Sequence, residues 1–125
     1  MKQITDLAQV DKLMESLISK PKVVVEIDYA DYECFKNSTT NRFAMIFEAD
    51  NFSNLHQQID AELTSLDCAP KMIWVCLEDT ESKPLALGEL SGIVDMLSER
   101  AENADIIWQL NHRESGVAAT IFFGI

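Results

Sequence analysis

Glycine is scarce in this chain of 125 residues, which has only Gly88, Gly92, Gly116 and Gly124. Phosphate-binding loops of the Walker and Rossmann types need several glycines within a few residues, because the backbone must approach the phosphates closely. No such loop can be written anywhere in the sequence. We therefore expect no nucleotide site within these residues and no cofactor.

Basic side chains are also few, with 10 Lys and Arg against 21 Asp and Glu, a net charge of −11 at pH 7. Nucleic acids and anionic membranes both attract basic surfaces, so neither is expected as a partner. No apolar run is long enough to span a bilayer, and residues 1–20 lack the features of a signal peptide. These absences predict a cytoplasmic protein, and the acidity is equally well explained as a means of keeping it soluble.

Cysteine is limited to Cys34, Cys68 and Cys76, an odd number without Cys-x-x-Cys spacing. The pattern suggests neither a disulfide framework nor a zinc site. Because Cys76 lies in an apolar run, we expect it in the core. No metal site is predicted from the cysteines.

Apolar residues make up 47% of the chain and charged residues 25%, enough for one folded domain over residues 1–125. Helical spacing of apolar residues predicts helices, and β-branched or continuous apolar runs predict strands. The predicted helices cover residues 3–19, 52–66 and 87–101, and a short helix or turn is expected after residue 31. The predicted strands or extended segments cover residues 23–27, 43–47, 72–77, 105–110 and 117–123.

This alternation predicts an α/β fold, called α+β in some schemes, with a mixed sheet of about four strands. Right-handed crossovers make neighbouring strands parallel, and residues 111–116 are expected to close an antiparallel hairpin between the last two strands. The two helices after residue 50 should cover one face of the sheet. The N-terminal helix should cover part of the other.

Tryptophan and histidine give little indication of chemistry. Trp74 and Trp108 lie in apolar runs, where a packed core ring is expected more often than a stacking platform for a base or sugar. His56 and His112 have no serine or cysteine partner at a recognisable spacing, so both are interpreted as ordinary residues.

Carboxylates are concentrated in one segment, where Glu26, Asp28, Asp31 and Glu33 fall within eight residues. Such a cluster can hold Mg²⁺ or position a water molecule as a general base. On spacing alone this is a weak signal, because alternation of Glu26 and Asp28 is more often the solvated face of an edge strand. The pattern leaves both interpretations open.

The same segment carries a family resemblance. Residues 24–31, Val-Val-Glu-Ile-Asp-Tyr-Ala-Asp, resemble the Asn-x-Asp-Phe-Ala-Asp loop of FtsZ, the bacterial tubulin homologue. Further stretches resemble later FtsZ strands and helices in the same order: 44–45, 69–77, 87–90, 104–108 and 117–125. The likeness covers residues 4–125 and is to the C-terminal domain of FtsZ. It implies a free-standing domain without the GTP-binding domain, in which residues 1–20 match the end of the central helix and 22–125 the sheet and helices.

In FtsZ this loop enters the nucleotide site of the next subunit, where its aspartates orient the attacking water. By position, Asp28 and Asp31 match the two aspartates, Tyr29 replaces phenylalanine and Glu26 replaces asparagine. The resemblance implies a non-enzymatic protein-interaction module with no catalytic residue acting on its own. Its partner would be FtsZ-like, and it would cap or modulate filament assembly in cell division.

Two alternatives remain open. The fold could be a scaffold whose surface, covered by the GTPase domain in FtsZ, is reused for a homodimer or another partner. Alternatively, Glu26, Asp28 and Asp31 could form the centre of a metal-dependent hydrolase.

Overall fold

A computed structural model of the protein describes the backbone of residues 1–18, 23–25 and 29–125, and the side chains of residues 1–18 and 30–125. Six strands and four helices lie within these ranges. In chain order they are β1 (Lys2–Ile4), α1 (Leu7–Ile18), β2 (Val23–Val25), α2 (Tyr29–Ser38), β3 (Arg42–Ala49), α3 (Phe52–Thr64), β4 (Met72–Asp79), α4 (Leu87–Arg100), β5 (Asp105–His112) and β6 (Val117–Gly124).

The strands form one mixed sheet in the order β1-β3-β6-β4-β5-β2. Strands β4 and β5 are parallel, and every other neighbouring pair is antiparallel. The predicted α/β fold with a mixed sheet is confirmed. Four strands of eight residues form its body, and the three-residue strands β1 and β2 extend it at the two edges.

The predicted hairpin between the last two strands is wrong, because β4 lies between β5 and β6. After β5 the chain crosses the end of β4, where the Arg113 N–H donates to the Asp79 carbonyl oxygen at 2.7 Å. Every residue of β6 is buried, whereas β5 begins with exposed and half-buried residues. The central place of β6 buries more apolar surface than a terminal hairpin would.

The N-terminal helix is shorter than predicted. It begins at Leu7, because the Asp6 carboxylate accepts the Ala8 N–H at 3.0 Å and caps the helix. Residues 3–4, which were predicted to begin this helix, belong instead to β1. The strand pairs with β3 and places Ile4 opposite Ala44.

Helices cover both faces of the sheet, and each face has its own apolar core. Helices α3 and α4 pack on one face through Leu55, Ile59, Ile93 and Leu97, as predicted. Helices α1 and α2 pack on the opposite face, where they share a second core with the middle of the sheet. No helix in the ranges above is long and apolar enough to cross a membrane.

The second core is centred on Trp74, which is fully buried, as the sequence predicted. Its ring stacks on Phe122, with centroids 4.9 Å apart, and meets Tyr32 and Phe35 edge to face. Cys76 is also fully buried, which confirms its predicted place in the core.

Candidate interaction site at the acidic segment

The acidic segment, residues 26–33, follows β2 in the chain and continues into α2. Glu26 and Asp28 lie outside the described residues, so their predicted role stays a prediction. Before them, β2 pairs with β5, placing Val23 opposite Asn111. After them, Asp31 lies in the first turn of α2 with an exposed side chain. A carboxylate at this position interacts favourably with the positive end of the helix dipole.

Helix α2 is held against the sheet by aromatic contacts. Tyr32 and Phe35 are buried and lie 5.9 and 6.2 Å from the Trp74 ring centroid. Both point inward from the helix that carries Asp31, so they fix which face of α2 is presented to solvent. The start of α2 is therefore a defined platform for Asp31.

The far end of α2 is fixed by Arg42, a buried cation. Its guanidinium donates to the carbonyl oxygens of Lys36 and Thr39, both at 3.0 Å. It also makes a two-pronged contact with the Asp11 carboxylate of α1, at 3.1 and 3.3 Å. The planar guanidinium suits this paired geometry, which a lysine could not reproduce. One side chain thus joins α1, β3 and the C-terminal end of α2.

The metal-hydrolase hypothesis requires Glu26, Asp28 and Asp31, and of these the structure describes only Asp31. Within the ranges that the structure covers, no three His, Cys, Asp or Glu side chains form a group that could hold a metal ion. Glu26 and Asp28 do not belong to those ranges, so their cluster with Asp31 remains an untested hypothesis.

A second polar arrangement, missed by the sequence interpretation, joins Asp79 and His112. Asp79 is fully buried, and one of its carboxylate oxygens lies 2.6 Å from His112 Nδ1. Its other oxygen accepts the Leu85 N–H at 2.8 Å. The two residues face each other in register at the carboxyl ends of the parallel strands β4 and β5.

The predicted strands ended at residues 77 and 110, which left Asp79 and His112 in separate loops. If both predicted strands are lengthened by two residues and paired in parallel, Asp79 and His112 lie opposite each other. Longer strand predictions could therefore have found the pair. The pair has an evident structural role. It ties the connection after β4 to the end of β5 and satisfies a buried carboxylate.

The pair could orient an imidazole for proton transfer, since Nε2 lies on the side of the ring away from Asp79. A shallow cavity beside it is lined by Thr80, Ser82 and Arg113. The Ser82 hydroxyl is 3.4 Å from the Thr80 hydroxyl, a contact within the loop itself. This geometry indicates a loop anchor more directly than a nucleophile with its base.

Comparison with known proteins finds similarity at the level of structure. No protein-family model matches the sequence, and neither does any curated protein. An empty FtsZ dimer structure from M. jannaschii matches with a TM-score of 0.70 and 18% identity, over 95% of this chain and 40% of that chain. A tryptophan-to-tyrosine mutant of the same FtsZ matches with a TM-score of 0.70 and 17% identity, over 95% of this chain and 41% of that chain.

These matches show that the chain has the fold of the C-terminal domain of FtsZ, and the predicted resemblance is confirmed at that level. The chain spans about 40% of the length of these FtsZ chains. A thiamine monophosphate kinase from Aquifex aeolicus matches with a TM-score of 0.48 and 10% identity, over 98% of this chain and 42% of that chain. That score is too low to support any inference.

Proposed function

We propose that this domain is a non-enzymatic protein-interaction module that contacts an FtsZ-like partner through residues 26–31 and caps or modulates its assembly. The observation that carries the proposal is the match to FtsZ over 95% of this chain. One of the similar structures is itself that of an FtsZ dimer. We infer from the shared fold that this domain contacts its partner through the same segment as FtsZ does.

Residues 1–125 can supply carboxylates to a shared site but no phosphate-binding loop. They contain no glycine-rich phosphate loop, so any nucleotide in the complex is bound by the partner. The acidic segment supplies carboxylates, which can orient a water molecule in a site completed between two proteins. The domain would therefore act on the partner's nucleotide turnover and length of polymer without having a reaction of its own.

Glu26 is expected to weaken this contact. It places a carboxylate where FtsZ has a neutral amide, in a segment proposed to approach a triphosphate. Two like charges about 4 Å apart repel by about 1 kcal/mol in water and by more in a partly buried site. A weakened contact suits a modulator, which must bind a filament end without extending the filament efficiently.

The test mixes the purified protein with an FtsZ-type GTPase and measures sedimentable polymer and GTP turnover. We expect both quantities to change in proportion to the added protein, and the variant carrying Asp28→Ala and Asp31→Ala to lose the effect. A matched control carries Asp67→Ala and Glu102→Ala, which remove the same charge from exposed positions elsewhere. If neither quantity changes, or if both double variants behave alike, the proposal is wrong.

A further prediction concerns Glu26 alone. Glu26→Asn restores the amide that the resemblance assigns to this position and removes one negative charge. We expect it to strengthen the effect on the partner's GTP turnover several-fold at low salt, and less at high salt because charge repulsion is then screened. Weaker action of this variant would contradict the proposed orientation of the segment towards the partner's nucleotide.

A further inference from the structure

A small apolar groove lies on the α3/α4 side of the sheet, between helix α4 and strand β5. This α4–β5 groove is lined by Leu87, Leu90, Ser91, Val94, Asp95 and Trp108 and encloses about 150 Å³. A cavity of about this volume accepts one benzene-sized group. Its size therefore suits a single leucine, isoleucine or phenylalanine side chain.

Leu87 is an exposed apolar side chain at the edge of the groove. Its side chain is 77% exposed, the highest value among the large apolar side chains in the described part of the chain. It is the first residue of α4 and lines the groove together with the half-buried Trp108. An exposed leucine beside a cavity with half-buried apolar walls is typical of a binding surface.

The charge around the groove is negative. Asp95 lines it, and Glu99, one helical turn further on, is exposed. The only cation in α4, Arg100, pairs with Asp60 of α3 at 2.9 Å, and no Lys or Arg lines the groove. Basic groups on a partner would therefore meet unneutralised carboxylates here.

The same charge argues against a second copy as the occupant. Two copies would each bring a net charge of −11 to the contact, and a symmetric contact would place Asp95 and Glu99 close to the same residues of the partner. A basic partner has the opposite balance, gaining steering from the negative rim and burial from the apolar floor.

We propose that the α4–β5 groove is the docking site for a short basic amphipathic helix of another protein, with one apolar side chain inserted beside Leu87 and Trp108. Lysines or arginines one turn away on that helix would contact Asp95 and Glu99. This is the helix-in-groove mode of recognition. It goes beyond the proposed function, because it uses different residues and requires no FtsZ-like partner.

The probe is a synthetic amphipathic helical peptide without tryptophan, with leucines at i and i+4 on one face and lysines on the other. The chain has two tryptophans, and Trp74 is fully buried, so a binding-induced change in emission reports on Trp108. We expect a blue shift on peptide addition that saturates. Trp108→Phe should remove the shift while peptide binding, followed by fluorescence anisotropy of a labelled peptide, persists.

Two substitutions test the apolar and the charged contacts. Leu87→Ser should weaken binding roughly tenfold or more, since the burial of a leucine is lost. Leu7→Ser is its matched control, because Leu7 is also an exposed leucine at the first position of a helix. Asp95→Lys should weaken binding several-fold at low salt, whereas Glu33→Lys, the same charge change on exposed α2, should not.

The outcomes are distinct. Saturable binding that depends on Leu87 and Asp95 and is lost when the peptide lysines are replaced by glutamates supports the proposal. Absence of binding overturns it, and so does binding weakened equally by Asp95→Lys and Glu33→Lys, which indicates general charge attraction. A dimer in light scattering that Leu87→Ser dissociates also overturns it, because a second copy would then occupy the groove. Circular dichroism confirms that each variant is folded.

Discussion

His112 shows how much one residue depends on its strand register. Its Nδ1 lies 2.6 Å from a carboxylate oxygen of Asp79, which has no exposure to solvent. Removing one partner of a buried polar pair leaves the other unsatisfied, and this costs more than the pair itself contributes. The histidine is therefore expected to matter for stability, although no sequence pattern singled it out.

We predict that His112→Ala lowers the free energy of unfolding by about 1–3 kcal/mol. His56→Ala is the control, because His56 is half-buried and its ring contact is with Phe52, 5.7 Å away. Its effect should be clearly smaller. Urea denaturation followed by circular dichroism measures both, and equal losses would show that Asp79 gains little from its imidazole partner.

The titration of the Cys68 thiol is altered by its surroundings. Partial burial, and next the negative charge of neighbouring Asp67, raise the pKa of its thiol above the ordinary value. Because the thiolate is the reactive form, native Cys68 should be alkylated less readily at a given pH than an unperturbed thiol. The same shift favours the protonated thiol in the folded protein, so this contribution to stability is present at neutral pH and is lost as pH rises through the raised pKa.

The corresponding measurement follows iodoacetamide labelling of Cys68 against pH in a Cys34→Ser variant, which removes the exposed cysteine. We expect the midpoint of the rate profile to lie at higher pH in the native protein than in urea. Identical midpoints would contradict the pKa shift, while a uniform slowing at every pH would show steric protection alone.

At the scale of elements, two glycines have opposite roles. Gly92 lies inside α4, where an added Cβ would meet no atom within 4 Å. Gly116 precedes β6 with φ of 69°, and an added Cβ would lie 2.7 Å from the Ala49 carbonyl oxygen. The first glycine weakens its helix without any steric need, whereas the second is required by the turn that carries the chain into β6.

We predict that Gly92→Ala raises the free energy of unfolding by about 0.5–1 kcal/mol, because alanine has the higher helix propensity. Gly116→Ala should lower it by more than about 1 kcal/mol, because both the backbone conformation and the available space exclude a side chain. Thermal or urea unfolding of the two variants measures the contrast. Destabilisation by Gly92→Ala would mean that α4 packs more tightly than its surroundings indicate.

The long elements were largely predictable from the sequence, and their arrangement was only partly so. Periodic apolar residues predicted α3, α4 and the body of the sheet, with burial on the correct faces. The hairpin failed because a local pattern contains no information on strand order, and β4 entered between β5 and β6. Helix α1 was predicted to begin four residues too early, because helical apolar spacing continues before Leu7. The helix begins at Leu7, where the Asp6 carboxylate caps it.

At the scale of the whole molecule, the family resemblance correctly predicted the shared fold with FtsZ, although identity is only 18%. Several short motifs in the same order as in FtsZ indicated the fold, although no single motif was specific. The Asp79–His112 pair was missed because it depends on a register between distant strands, and the α4–β5 groove because exposure of Leu87 is a tertiary property. Glu26 and Asp28 lie outside the described residues, so the proposed contact requires a direct measurement.

That measurement is hydrogen exchange of the protein alone and mixed with a GTP-bound FtsZ-type partner. We predict slower amide exchange in residues 26–31 and the start of α2, with no change in α3 on the opposite face of the sheet. The variant carrying Asp28→Ala and Asp31→Ala should show no slowing. Unchanged exchange in residues 26–31, or slowing confined to other segments, would contradict the claim that the acidic segment contacts the partner.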